Sequence, residues 1–270
     1  MLSWKLWRAF HRPPVTHPLY KRVVQAATLP IPMFADAAET LASLLVLPIV
    51  AFTGTVHGLG WAIAISCVIA SEQERHTYDV LVLILCFMLG ASWSLCSACL
   101  HRHRKFINIS SLSALMGRIV ILGIIFLAFI PIFAMTGAER TTVYLVYGLT
   151  ALGVMVVDHA QSIVLSSLIG MLVPHYAFSR VEPALGALFI CLALQVASYL
   201  SAALLTFLIL PTFYAVLGIN GIIVDISVPL LGFGSFVLLR EYLIRRLWAA
   251  LMKQLNADTA EFDALLRLKV

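Results

Sequence analysis

The chain has 270 residues, 61% of them hydrophobic and only 11% charged, with a mean hydropathy of +0.99 and a net charge of +5. Water-soluble chains carry about a quarter charged residues, so this composition excludes a soluble globular domain and describes a polytopic membrane protein. The basic excess does not argue for nucleic acid, because most Lys and Arg residues flank apolar runs, where membrane orientation accounts for them.

In chain order, the opening MLSWKLWRAFHRPP has neither the apolar core nor the small-residue cleavage site of a signal peptide. It predicts an interfacial helix within an N-terminal segment, 1–35. Trp4, Trp7 and Phe10 recur on one face, Lys5, Arg8, His11 and Arg12 lie largely on the other, and Pro13 and Pro14 end it. A membrane domain over 36–240 follows, with apolar runs at 38–56, 58–71, 114–135, 142–172, 184–210 and 221–239. A crossing needs about 20 apolar residues, so the second run is short and the fourth long enough to tilt or project. A seventh run, 78–100, is long enough to cross. From Arg240 the last span is expected to continue into an amphipathic cytoplasmic tail, 241–270. The five cysteines lie in or beside apolar runs, where a small buried hydrophobe is the ordinary role.

The positive-inside rule selects a topology from the 18 Lys and Arg residues. If 78–100 re-enters or lies at the interface, six spans leave both termini inside and only Arg140 outside. That is seventeen against one, with Arg118 at the inner boundary. If 78–100 crosses and nothing else changes, the count becomes seven against eleven. An eight-span alternative splits 142–172 at Asp158-His159 and gives fourteen against four, but with two very short spans. The expectation is therefore an all-α bundle of about six transmembrane helices, an N-terminal interfacial helix and a re-entrant hairpin at 78–100. Gly90-Ala91-Ser92 would allow a tight turn or a close helix contact there.

The charged stretch SEQERHTYDV at 71–80 then falls on the cytoplasmic side, just after the second span. Its Glu72, Glu74, Arg75, Thr77, Asp79 and Leu81, within 71–81, resemble the pattern E-x-E-[RK]-x-x-[GS]-T-x-[DE]-x-L-L. That pattern follows the second span in permease subunits of ATP-binding-cassette transporters of the type-two exporter class. HPLYKR at 17–22 is similar to the short segment those permeases place before their first span. The interval between Arg75 and Thr77 is shorter here, His76 stands at the small residue, and Leu83-Ile84-Leu85 replaces the usual Thr-Pro. The resemblance implies six spans and a coupling helix that docks on a separate nucleotide-binding ATPase subunit. It also implies a second permease chain, as homodimer or heterodimer, and a location in the bacterial plasma (inner) membrane with both termini cytoplasmic. No G-x-x-x-x-G-K-[ST] loop occurs, so the chain is not expected to carry its own ATPase.

Other constellations have structural as well as functional readings. Cys96, Cys99, His101 and His103 in CSACLHRHR have the chemistry of zinc ligands. The competing and preferred reading is a membrane-edge helix ending in a basic cluster against anionic lipid headgroups. Asp158 and His159 lie inside an apolar run, where ionisable residues serve function by default or pair with a neighbouring helix. Ser162, Ser166 and Gly170 form a small-residue row of the kind that joins helices. Asp225 reads either as part of a polar path or as a residue near the outer headgroups, and Gln195 as an interhelical hydrogen bond. His57, His159 and His175 are isolated, which does not establish a haem or pigment, and no cofactor is assigned. The chain has no G-x-S-x-G, H-E-x-x-H or paired-aspartate motif, so an enzyme is not expected. A second function class stays open: an accessory or assembly subunit of a respiratory or photosynthetic membrane complex that reuses the permease fold without transporting.

Overall fold

The computed structural model describes residues 1–10, 46–85, 88–102, 120, 123, 138–176, 181–219 and 221–258. The described residues are almost all helical, with no strand among them. In chain order the helices are α1 (Leu2–Phe10), α2 (Val46–Glu74), α3 (Thr77–Leu85), α4 (Met88–Arg102), α5 (Ala138–Leu172), α6 (Val181–Leu204), α7 (Leu210–Val216) and α8 (Ile222–Gln254). Among them, three stretches are long and apolar enough to cross a membrane: 141–175, 182–216 and 222–254. The protein is thus an all-α bundle with the helices of a membrane protein.

The central helix is α5. Of its most apolar stretch 72% is buried within the bundle, against 17% for the α6–α7 rod and 28% for α8. Small residues permit this packing. A Cβ on Gly170 would lie 2.8 Å from the Ile65 Cβ and 3.0 Å from the Ala62 carbonyl, so only hydrogen fits between α5 and α2 there. One turn and two turns earlier on α5, Ser166 and Ser162 lie against Gly58. The predicted small-residue row is the α2–α5 seam.

The pairings also fix helix directions. Along α2 and α5, Gly58 meets Ser162 and Ser166, Ile65 meets Gly170, and Gln73 bonds His175, so the two run parallel. Along α5 and α8, Gly153 meets Phe233 and Asp158 meets Arg240, again parallel. In contrast, α6 is antiparallel: Val173 meets Gly186, Ser162 meets Gln195, and Asp158 meets Tyr199.

Three expectations change, and one alternative already set aside falls away. The runs 38–56 and 58–71 are not separate spans, because α2 continues through His57 from Val46 to Glu74. The polar interruption there is one His and several Gly, and a helix accommodates these when its hydrogen bonds stay internal. The six-span count as drawn therefore does not hold at its first two members. The eight-span division of 142–172 is absent too, since α5 is unbroken across Asp158-His159. In 78–100 the break falls between α3 and α4 and not at Gly90, which lies buried inside α4 with Ala91 and Ser92. The chain bends by 116° between these helices, and Tyr78 Oη, 2.8 Å from Ser92 Oγ, ties them together. Finally, α1 buries Ser3, Leu6, Ala9 and Phe10, while Trp4 faces out. Its inward face is thus offset from the Trp4–Trp7–Phe10 stripe. The expected run 114–135 and the segments 11–45 and 259–270 lie outside the described residues, apart from positions 120 and 123.

Two irregularities have local causes. Pro211 has no N–H to donate back along the helix, and the ladder widens to a π-turn at Leu205–Ile209 just before it. The predicted span 184–210 consequently extends to Val216. Past the apolar run 221–239, α8 runs on unbroken to Gln254, the helical continuation expected from Arg240.

Candidate functional site

Two polar features stand out against the apolar bundle. The first is the corner formed by SEQERHTYDV. Its charges do not make one helix: α2 ends at Glu74, Arg75 and His76 turn, and α3 begins at Thr77. His76 has φ 56°, the left-handed conformation in which glycine is least strained, and this is the position where the resembled pattern carries a small residue. The turn closes through Arg75 N–H to the Ser71 carbonyl (3.2 Å) and His76 N–H to the Gln73 carbonyl (3.1 Å).

The six predicted docking residues divide. Glu74, Arg75, Thr77 and Asp79 are exposed, while Glu72 and Leu81 are buried. Glu72 accepts a hydrogen bond from the Thr77 hydroxyl across the turn, which makes it a brace of the corner and not a surface contact. The corner is rooted in the central helix, where Gln73 Nε2 lies 3.2 Å from His175 Nδ1 and the Tyr78 ring meets the His175 imidazole edge-on at 6.0 Å.

The second feature is a buried network centred on Asp158 of α5. Arg240 of α8, fully buried, reaches Asp158 Oδ1 through Nη1 at 2.6 Å. Its Nη2 donates to Gln195 Oε1 of α6, and Nη1 also reaches Ser162 Oγ at 2.9 Å. The guanidinium lies over the rings of Tyr199 (5.0 Å) and Phe236 (4.9 Å).

The proton inventory closes at each hydroxyl. Ser162 donates to Asp158 (3.1 Å) and accepts from Arg240 and from Gln195 Nε2 (3.1 Å). Tyr199 donates to Asp158 (2.6 Å), so its 2.7 Å contact with Thr55 of α2 has Thr55 as donor. One ion pair and its satellites thereby join α2, α5, α6 and α8. Arg240 Nε has no hydrogen-bond partner among the described residues, but the remaining pairing offsets much of the cost of removing two charges from water, and the geometry is that of a lock between helices, not of an open polar path.

Of the predicted intramembrane residues, Asp158 is therefore the centre of the network. His159 beside it is buried as well. Asp225 is not part of the network: it is exposed in the first turn of α8, after Gly221 (φ 99°), where a negative charge suits the helix N-terminus. Gln195 makes the interhelical bonds expected of it.

Sequence reasoning missed Arg240, which it counted among the cytoplasmic charges. Its register is the available signal, since Gly232, Phe236, Arg240 and Ile244 recur every fourth residue on the buried stripe of α8. Tyr199 and Thr55 carry no such signal.

Of the zinc-like residues, Cys96, Cys99 and His101 are described. Cys96 and Cys99 are buried thiols, His101 Nε2 lies 2.9 Å from the Phe10 carbonyl, and His103 lies outside the described residues. Among the described residues no group of three or more His, Cys, Asp or Glu side chains is placed to hold a metal ion. No protein-family model matches this chain, and no curated protein or solved structure matches it either.

Proposed function

We propose that the chain is the permease subunit of an ATP-binding-cassette exporter, with the α2–α3 corner as the surface that engages a separate ATPase subunit. The observation that carries this reading is the division of the corner. Glu74, Arg75, His76 and Asp79 face solvent, while Glu72, Tyr78 and Leu81 root the turn in the bundle. Exposed charges suit a soluble partner, and a rooted turn transmits displacement instead of absorbing it. The route inward is short: the corner touches His175 at the end of α5, and α5 carries Asp158, which ties the other three large helices.

Helix directions support a matching topology. Since α2 and α5 run parallel, the connection from Glu74 to Ala138 returns across the bilayer an odd number of times. In this reading the return is the apolar run 114–135, and α3–α4 dips in and out. The corner, the His175 end of the central helix and the end of α8 then share one side, which the positive-inside rule makes cytoplasmic. Six crossings with both termini on that side follow when the first precedes Val46. A second permease chain completes the pathway.

Gentle extraction and identification of co-purifying chains tests the proposal. A nucleotide-binding subunit is expected; respiratory or photosynthetic subunits in its place would sink the reading in favour of the accessory-subunit one. Given the ATPase partner, Glu74→Ala with Arg75→Ala should lower transport per ATP hydrolysed at least tenfold. Helix content should be unchanged, because both side chains are exposed. A cysteine at Arg75 should be labelled by an impermeant maleimide only from the cytoplasmic side.

A further inference from the structure

We infer that α1 and the first turns of α8 beyond Arg240 form one cationic surface for anionic phospholipid headgroups of the inner leaflet. Leu2 of α1 and Glu241 of α8 lie 239 positions apart in sequence and are joined by one carboxylate. Glu241 is buried, and its Oε1 accepts the Leu2 N–H at 2.5 Å, while Oε2 accepts the Ser3 hydroxyl at 2.6 Å and the Ser3 N–H at 3.4 Å. This is a negative charge on the free N–H groups of a helix N-terminus, supplied by another helix. The same Oε1 lies 3.3 Å from Arg245 Nε, so the clamp places Arg245 beside the start of α1.

The clamp consumes the local negative charge and leaves positive charge outside. Lys5 and Arg8 on α1 and Arg245 and Arg246 on α8 are all exposed. Glu241 is the only acidic residue within 1–10 or 236–254. Each helix also presents an exposed aromatic ring beneath an arginine, Trp4 with Arg8 at 5.6 Å and Tyr242 with Arg246 at 5.1 Å. Aromatic rings at headgroup depth beside clustered Lys and Arg are the recognition chemistry of an anionic bilayer surface. The position agrees: Arg240 is the last cation turned into the bundle, and the surface begins just beyond it on α8. The inward face of α1, Leu6 and Phe10, is fully covered, so the helix lies on the bundle with its cationic side free to meet lipid.

The probe is the full-length purified protein in detergent, titrated with equimolar phosphatidylglycerol and phosphatidylcholine. Native mass spectrometry reads the ratio of the first lipid bound. Each surface cation contributes about fivefold to affinity for anionic lipid. Wild type should prefer phosphatidylglycerol, Lys5→Gln with Arg8→Gln should lose at least fivefold of that preference, and the four-fold Gln variant that adds Arg245→Gln and Arg246→Gln at least tenfold. Arg140→Gln, at the one basic residue expected on the outer side, should leave it in place. Quenching of Trp4 (wild type minus Trp4→Phe) should be greater with brominated phosphatidylglycerol than with brominated phosphatidylcholine. Glu241→Gln should lower the preference although all four cations remain. Absence of preference in wild type, its retention in the Lys5/Arg8 variant, or its loss in the Arg140 variant overturns the inference. Full displacement of the lipid by millimolar inorganic phosphate overturns it as well, since that marks a free-anion site. No ATPase is needed, so the result stands apart from the permease reading.

Discussion

Asp158→Leu is expected to destabilise the bundle by about 3–5 kcal/mol, because it leaves Arg240 charged and without its counter-ion in a fully enclosed site. Arg240→Leu should cost a similar amount, with Asp158 and Gln195 then left without their cationic partner. The informative variant is the pair. With both replaced by leucine, the desolvation cost of two ions disappears, and the double variant should recover most of the loss or exceed wild type. A double-mutant cycle on reversible unfolding in mixed micelles measures this, with a coupling energy of about 3 kcal/mol or more expected between the sites. Additive losses would show that Asp158 and Arg240 do not act as a pair. If the network also transmits motion from the α2–α3 corner, the recovered double variant should remain stable yet lose transport coupling.

Gly170→Ala is the second large effect. The added carbon would press on the Ile65 Cβ and the Ala62 carbonyl, which belong to the middle of α2 and cannot swing away as a flexible chain end would. Overpacking of this kind costs about 1–3 kcal/mol, and Gly170→Leu should separate α2 from α5 altogether. Gly60 is the matched control. It lies on α2 with no described neighbour within 4 Å of an added Cβ, so Gly60→Ala should be neutral or gain a few tenths of a kcal/mol from helix propensity. Thermal unfolding of the three variants under one detergent condition makes the comparison. Equal losses at Gly60 and Gly170 would remove the seam as the explanation.

The two effects have different origins in the sequence. The seam was legible: Ser162, Ser166 and Gly170 recur at helical spacing, and small residues at that period have few uses in an apolar helix besides close approach. The lock was half legible. Asp158 in an apolar run demands a partner, but nothing local to Asp158 names a residue 82 positions later on another helix. Arg240 was hidden by its neighbours, because Arg245, Arg246 and Lys253 give that stretch the look of a solvated tail. Only burial distinguishes it from them.

The span count failed for a related reason. Hydropathy registers polarity and not direction, so His57 and the glycines around it looked like a boundary although the helix passes through them unbroken. In the same way Gly90 looked like a turn, but small residues serve a tight turn and a close contact equally well. At the charged corner the composition was readable and the partition was not. The sequence marks Glu72 and Glu74 alike, yet one lies inside bracing the turn and the other faces solvent.

Composition and periodicity by themselves determined that this chain is all-α, that its helices are those of a membrane, and that the small-residue row of α5 meets another helix closely. These follow from quantities summed over a helix, namely apolar length and the spacing of small residues. Only the tertiary structure decided which charges are partners, which way α2 runs, and that Glu241 joins the first helix to the last. Those facts depend on pairings between residues far apart in the chain, and a single interhelical contact leaves no periodic trace in the sequence that makes it.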